Sequence, residues 1–136
     1  MATLRLEIVT PEAKTFSDDV DSVVIPGSEG EFGVLPQHVA LMTEMVPGEL
    51  RIMKGGEETR LAVGSGFVEV TQESVSVLTD MAIREEEIDE SVAEAAIKRA
   101  EEAMKNKHLD EEGHAAVQAA LQKSAAQLRV KRRRVV

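Results

Sequence analysis

Short apolar runs, punctuated by Gly and Pro, recur through the first 84 residues and then stop. Leu4, Leu6 and Ile8 alternate with Thr3, Arg5 and Glu7, the period of a half-buried strand. Further runs follow at Val20–Ile25, Phe32–Leu35, Val39–Met42, Leu50–Met53, Leu61–Val63, Phe67–Val70 and Val75–Leu78. Thr10-Pro11, Pro26-Gly27, Pro36, Pro47-Gly48, Gly55-Gly56 and Gly64-Ser65-Gly66 punctuate them. Many short strands at this spacing predict an all-β sandwich or barrel over residues 1–84, with Gly55-Gly56 as a hairpin turn.

After Ile83 the period changes. Arg84 to Glu87 form a charged hinge, and Asp89 is a candidate N-cap with Glu90 in the first turn. Val92, Ala96, Ala100 and Ala103/Met104 then fall at helical spacing. Glu94–Lys98 and Glu101–Lys105 are set up as i,i+4 ion pairs. A break at Asn106–His108 precedes a second helix, opened by Asp110-Glu111-Glu112 and striped by Val117, Leu121, Ser124/Ala125 and Leu128. The expected architecture is therefore α+β as separate parts: an N-terminal β-sandwich, then an antiparallel two-helix hairpin over residues 85–136, with helices at about 89–106 and 111–131. The hairpin's large apolar residues are few, namely Ile88, Val92, Ile97, Met104, Leu109, Val117, Leu121 and Leu128. Such a thin seam barely offsets the entropy of ordering two helices, so the hairpin needs a surface to dock on and is free to leave it.

Composition removes whole classes of function. With no cysteine there are no disulfides, thiolates or cysteine zinc sites, which fits a reducing compartment. Without Trp or Tyr, and with three Phe, there is little to stack on bases. No apolar run reaches the length of a membrane span, and the N-terminus enters its first strand without a signal-peptide pattern. The formal charge of −9 is uneven: all six basic residues after Gly113 lie beyond the last acidic residue. These are Lys123, Arg129, Lys131, Arg132, Arg133 and Arg134. A basic helix end on an acidic chain suits an acidic protein surface or another anion. No aromatic residue interleaves with it, which argues against nucleic acid.

No catalytic set assembles. Gly27-Ser28-Glu29-Gly30-Glu31-Phe32-Gly33 is glycine-rich, yet no Gly-Lys-Ser/Thr follows and its glutamates would repel phosphate. Gly64-Ser65-Gly66 lacks the spacing of a nucleophile elbow. His38, His108 and His114 match no zinc pattern. A non-catalytic adaptor is expected, with no metal.

The stretch GSEGEFGVLPQHVALMTEMVPG, Gly27 to Gly48, resembles the signature region of the epsilon subunit of the bacterial F-type ATP synthase, called delta in mitochondria. The shared order is a Gly-x-x-Gly-x-x-Gly loop, Pro-x-His, a Leu-Met-Thr strand, then Pro-Gly. Thr10-Pro11-Glu12, Leu50-Arg51-Ile52, Gly64 to Val70, Ile88-Asp89 and Ala126 to Val130 extend the likeness over nearly the whole chain. The resemblance implies a central-stalk subunit coupling the gamma subunit to the membrane rotor ring, peripheral on the cytoplasmic face of the inner or plasma membrane. Thr10, His38 and Thr43 would face gamma. Gly27, Ser28, Glu29, Gly30 and Glu31 would face the ring's c subunits. The hairpin would inhibit ATP hydrolysis when extended beside gamma toward the head of alpha and beta subunits, its basic residues Lys123, Arg129 and Lys131 to Arg134 meeting an acidic segment of the beta subunit. Some members bind ATP on the folded hairpin, and Ile88, Asp89, Ala93 and Arg99 match their motif. Val92 stands where those members have arginine, so no cofactor is expected and ATP binding would be weak or absent. The rival readings from the residues alone are a freestanding β-sandwich binding module with a basic tail, and an anion or nucleic-acid binder.

Overall fold

The structure is a computed structural model that describes residues 2–105 and 108–132. Among the described residues ten strands form a nearly closed β-sandwich, and two helices follow: β1 (Leu4–Val9), β2 (Lys14–Val20), β3 (Ser22–Gly27), β4 (Gly30–Val34), β5 (Leu41–Met45), β6 (Gly48–Lys54), β7 (Glu57–Val63), β8 (Gly66–Val70), β9 (Ser74–Thr79), β10 (Ala82–Arg84), α1 (Glu90–Met104) and α2 (Glu111–Arg132). A single 3-10 turn, Glu85–Glu87, joins the two parts.

The strand order is β10-β7-β6-β3-β5-β8-β9-β1-β2, with β4 paired to β3. All pairs are antiparallel except β1 with β9. The period-two pattern decides what goes inside. Leu4, Leu6, Ile8, Val23, Ile25, Leu50, Ile52, Val68, Val70, Val75 and Val77 fill one core, essentially without solvent contact. Near the open seam, Lys54 at the end of β6 reaches Asp18 of β2, and Asp21 accepts a hydrogen bond from the Gly55 amide at 2.8 Å. That Lys54 hydrogen bond holds the Asp18 carboxyl below its usual range.

Glycine is required at two kinds of place. Gly27 and Gly30 flank the two-residue turn Ser28-Glu29 between β3 and β4. A Cβ on Gly27 would lie 2.9 Å from both the Gly30 carbonyl and the Phe32 ring, and Gly30 has φ of +118°. On Gly66 a Cβ would fall 1.9 Å from the Leu78 carbonyl, so Gly64-Ser65-Gly66 is a packed turn.

Asp89 caps α1 by accepting the Val92 amide at 3.2 Å, and Asp110 accepts the Gly113 amide at 2.7 Å at the start of α2. The helices pack together along Ala93, Ala96, Ile97 and Ala100 on α1 and Val117, Leu121, Ser124 and Leu128 on α2, which are buried or half-buried. Two expectations fail here. Val92 does not belong to the seam; it is 60% exposed, and its neighbour Ala93 is buried in the row that continues through the expected Ala96 and Ala100. Nor is Glu94 left to Lys98: with Glu90 it binds Arg132, across the hairpin.

Candidate interaction surfaces

The sandwich presents an apolar patch on its outer face. Alternation points Val68, Val70, Val75 and Val77 inward, so Phe67 and Leu78 face out, 56% and 55% exposed. Register sets them side by side. Val9, Leu78, Phe67 and Glu44 form one row across β1, β9, β8 and β5, and Glu7, Ser76, Glu69 and Met42 the next. Met42 is 68% exposed. A sheet face that exposes Phe, Leu and Met against a polar background is the ordinary signature of a protein contact.

Thr10 sits at the edge of this row. It lines a shallow cleft of about 360 Å³ with Val9, Pro11, Gly66 and Leu78. Its hydroxyl donates to the Ala13 carbonyl at 3.1 Å, which holds the turn after β1. Thr43 is placed differently. It pairs with Val68, so its side chain lies on the inward side of β5, half-buried, while Met42 and Glu44 face out. His38 lies in the turn before β5, with its Nδ1 2.7 Å from the Val39 carbonyl oxygen. The structure thus joins Thr10 to the apolar row and leaves Thr43 and His38 apart from it. Phe67, Leu78 and Met42 were missed as surface residues. The alternation within β8 and β9 was the signal that could have found them.

The Gly27–Glu31 loop is a second surface. Ser28, Glu29, Gly30 and Glu31 are exposed, whereas Gly27 is buried. Glu31 accepts a hydrogen bond from Arg51 Nη1 at 3.1 Å, and the same nitrogen donates to Glu49 at 3.1 Å. Opposite them, Arg129 and Arg132 of α2 line the same cleft, of about 620 Å³.

The third surface is where the hairpin docks. The C-terminal half of α2 lies on β6 and β7. Val130 packs with Ala62 and Ile88, flanked by Met81 and Ile83, in a small second core. Around it the contact is polar. Lys123 pairs with Asp80 at 2.8 Å, Lys131 reaches the Glu85 carbonyl at 3.4 Å, and Gln127 lies against the Met81 sulfur. Glu49 is covered to 6% exposure. Arg132 is engaged by Glu90 and Glu94, and the Glu90 hydrogen bond raises its already high pKa. Of the six basic residues singled out, Lys123, Lys131 and Arg132 are therefore occupied within the chain. Arg129 is exposed and has no acidic partner among the described residues. Arg133 and Arg134 lie outside the described residues.

Of the four positions matching an ATP motif, three have structural work here. Ile88 and Ala93 are buried in packing, Asp89 spends its carboxylate on the α1 cap, and Arg99 is exposed on α1. Among the described residues no cluster of three metal-ligating side chains exists, and no helix is long and apolar enough to cross a membrane.

Comparison with known proteins covers both halves. Residues 3–85 match the β-sandwich domain of the ATP synthase delta/epsilon chain, and residues 86–132 match its long alpha-helix domain. The ATP synthase epsilon chain of Dehalococcoides mccartyi is 46% identical over 134 residues, covering 98% of this chain and 96% of the relative. That of Pelotomaculum thermopropionicum is 50% identical over 105 residues, covering 77% and 78%. Among solved structures, a chain of the Euglena gracilis mitochondrial ATP synthase superposes with a TM-score of 0.78 at 25% identity, covering 93% of this chain and 79% of that one.

Proposed function

The chain belongs to the ATP synthase delta/epsilon family, and from that premise we propose that it is a non-catalytic rotor subunit joining the central stalk to the membrane ring. The sandwich would be the fixed coupling, held peripherally at the membrane. Its outer row of Val9, Leu78 and Phe67 suits the gamma subunit, because an exposed aromatic and leucine pair in a well-formed sheet is the usual anchor of a stable interface. The Gly27–Glu31 loop suits the polar turns of the ring's c subunits. The single observation that carries the coupling role is this apolar row, which the fold itself leaves uncovered.

The hairpin suits a regulatory role. Its dock is small in apolar area and ringed by polar contacts, including the Lys123–Asp80 ion pair, so both faces remain compatible with water once separated. Lys123 and Lys131, two of the basic residues that would meet the acidic head, are held by Asp80 and the Glu85 carbonyl while docked. Release would free them to inhibit hydrolysis; docking would hold inhibition off.

Gel filtration of the full chain with its cognate gamma subunit tests the coupling role. The wild type is expected to co-elute with gamma. A Phe67→Glu, Leu78→Glu variant that keeps its secondary structure is expected to elute alone. Co-elution of that variant, or its absence in the wild type, would count against the assignment. A freestanding binding module would ignore gamma altogether.

A further inference from the structure

The cleft beside the glycine loop is built from both halves of the chain. One rim is Glu31, 52% exposed on the loop side. The other is Arg129, on the docked end of α2. Pro26, Gly27, Pro47 and Gly48 form the floor, and these small or rigid residues let another backbone come close. Arg51 stands between the rims. It is committed to Glu31 and Glu49, so it holds the acidic rim in place without filling the cleft. Arg132 is committed to Glu90 and Glu94. Of the three arginines lining the cleft, Arg129 is the one with no acidic partner among the described residues, and it shares the cleft with a carboxylate that is half open to solvent.

The geometry points to a composite contact surface: whatever seats on the Gly27–Glu31 loop also meets Arg129 and therefore touches the hairpin while it is docked. The occupant that fits is a polar turn of a partner protein carrying both charge signs, a cation opposite Glu31 and a carboxylate opposite Arg129. On the reading proposed above, on which this inference rests, that turn belongs to the rotor ring. Binding across both rims favours the docked hairpin. By linkage, docking strengthens ring contact by the same factor. Each rim contact is solvent-exposed, so the factor is modest, about two- to fivefold, and it fades with salt.

Amide hydrogen exchange on the full chain, bound to gamma with and without the purified rotor ring, tests this. The ring is expected to slow exchange in the Gly27–Val34 segment and, by about two- to fivefold, in the last two turns of α2. Arg129→Glu is expected to abolish the effect on α2 while leaving that on the loop. Protection of the loop with no change in α2 of the wild-type chain would overturn the composite surface and leave the ring contact standing. An unchanged α2 effect in Arg129→Glu would likewise overturn the role of Arg129. No protection of the loop would instead sink the ring assignment itself.

Discussion

Arg60 of β7 donates to both oxygens of Glu85, at 3.0 and 2.8 Å, and so fastens the sandwich to the first residue of the turn that launches the hairpin. The pair is largely covered, with side-chain exposures of 15% and 30%. A forked guanidinium suits this task because two parallel bonds set direction as well as distance. Replacing Arg60 with Ala leaves a partly covered carboxylate without its partner, at a cost of about 1–3 kcal/mol. Urea unfolding should show this loss, and limited proteolysis should cut faster at residues 83–88. Arg60→Lys should restore only part of it.

The glycines of the signature loop should separate by role. Gly27 has no room for a Cβ and Gly30 sits at positive φ, so either substitution by Ala should lower the melting temperature. Gly33 is exposed in β4, with no positive φ and no atom within 4 Å of the place an added Cβ would take. Gly33→Ala should leave stability unchanged or raise it by about 0.4–1 kcal/mol. Weakened ring contact in that stable variant would mark Gly33 as a place where a partner backbone approaches.

Control of hydrolysis should follow the basic end of α2. Alanine at Arg129 and at Arg132 to Arg134 is expected to raise ATP hydrolysis by the assembled enzyme without hindering assembly. Ending the chain after Ile83 should have the same sign. Steady-state hydrolysis on reconstituted enzyme checks both, and unchanged rates would remove these residues from the brake.

Docking should be loosened by Asp80→Asn, which takes the ion pair from Lys123. The pair is partly exposed, so the effect is about 0.2–1 kcal/mol and disappears at high salt. Hydrogen exchange along the second half of α2 should quicken at low salt only.

Wild-type chain is expected to show no micromolar ATP binding by calorimetry. Val92 is exposed on α1, so an arginine fits there without disturbing packing. Val92→Arg should raise ATP affinity several-fold if the missing cation is the deficit. Equal heats in both proteins would show that it is not.

Much of the fold was legible because period two and period 3.6 are written directly in the apolar pattern. Leu4, Leu6 and Ile8 read as inward residues, and Asp89 read as a cap, from neighbours in the chain alone. Gly27 and Gly30 were legible as a turn, but not the difference between them and Gly33, which depends on what lies across β3. In α1 the expected Ala96 and Ala100 do lie in the seam, but Ala93 and not its neighbour Val92 opens it, and only the position of α2 chooses between those two.

What the sequence determined by itself is the division into a β-half and a helical half, the absence of thiol chemistry and the basic end of the last helix. These depend on local spacing and residue chemistry, which need no partner to be expressed. The tertiary structure alone decided which of those basic residues are free. Lys123 meets Asp80, far back along the chain, and Arg132 meets Glu90 and Glu94 across the hairpin, leaving Arg129 facing the loop that carries Glu31. Pairings between distant segments are set by docking, and docking depends on a few well-placed contacts such as Val130 on Ala62. No local pattern encodes those contacts.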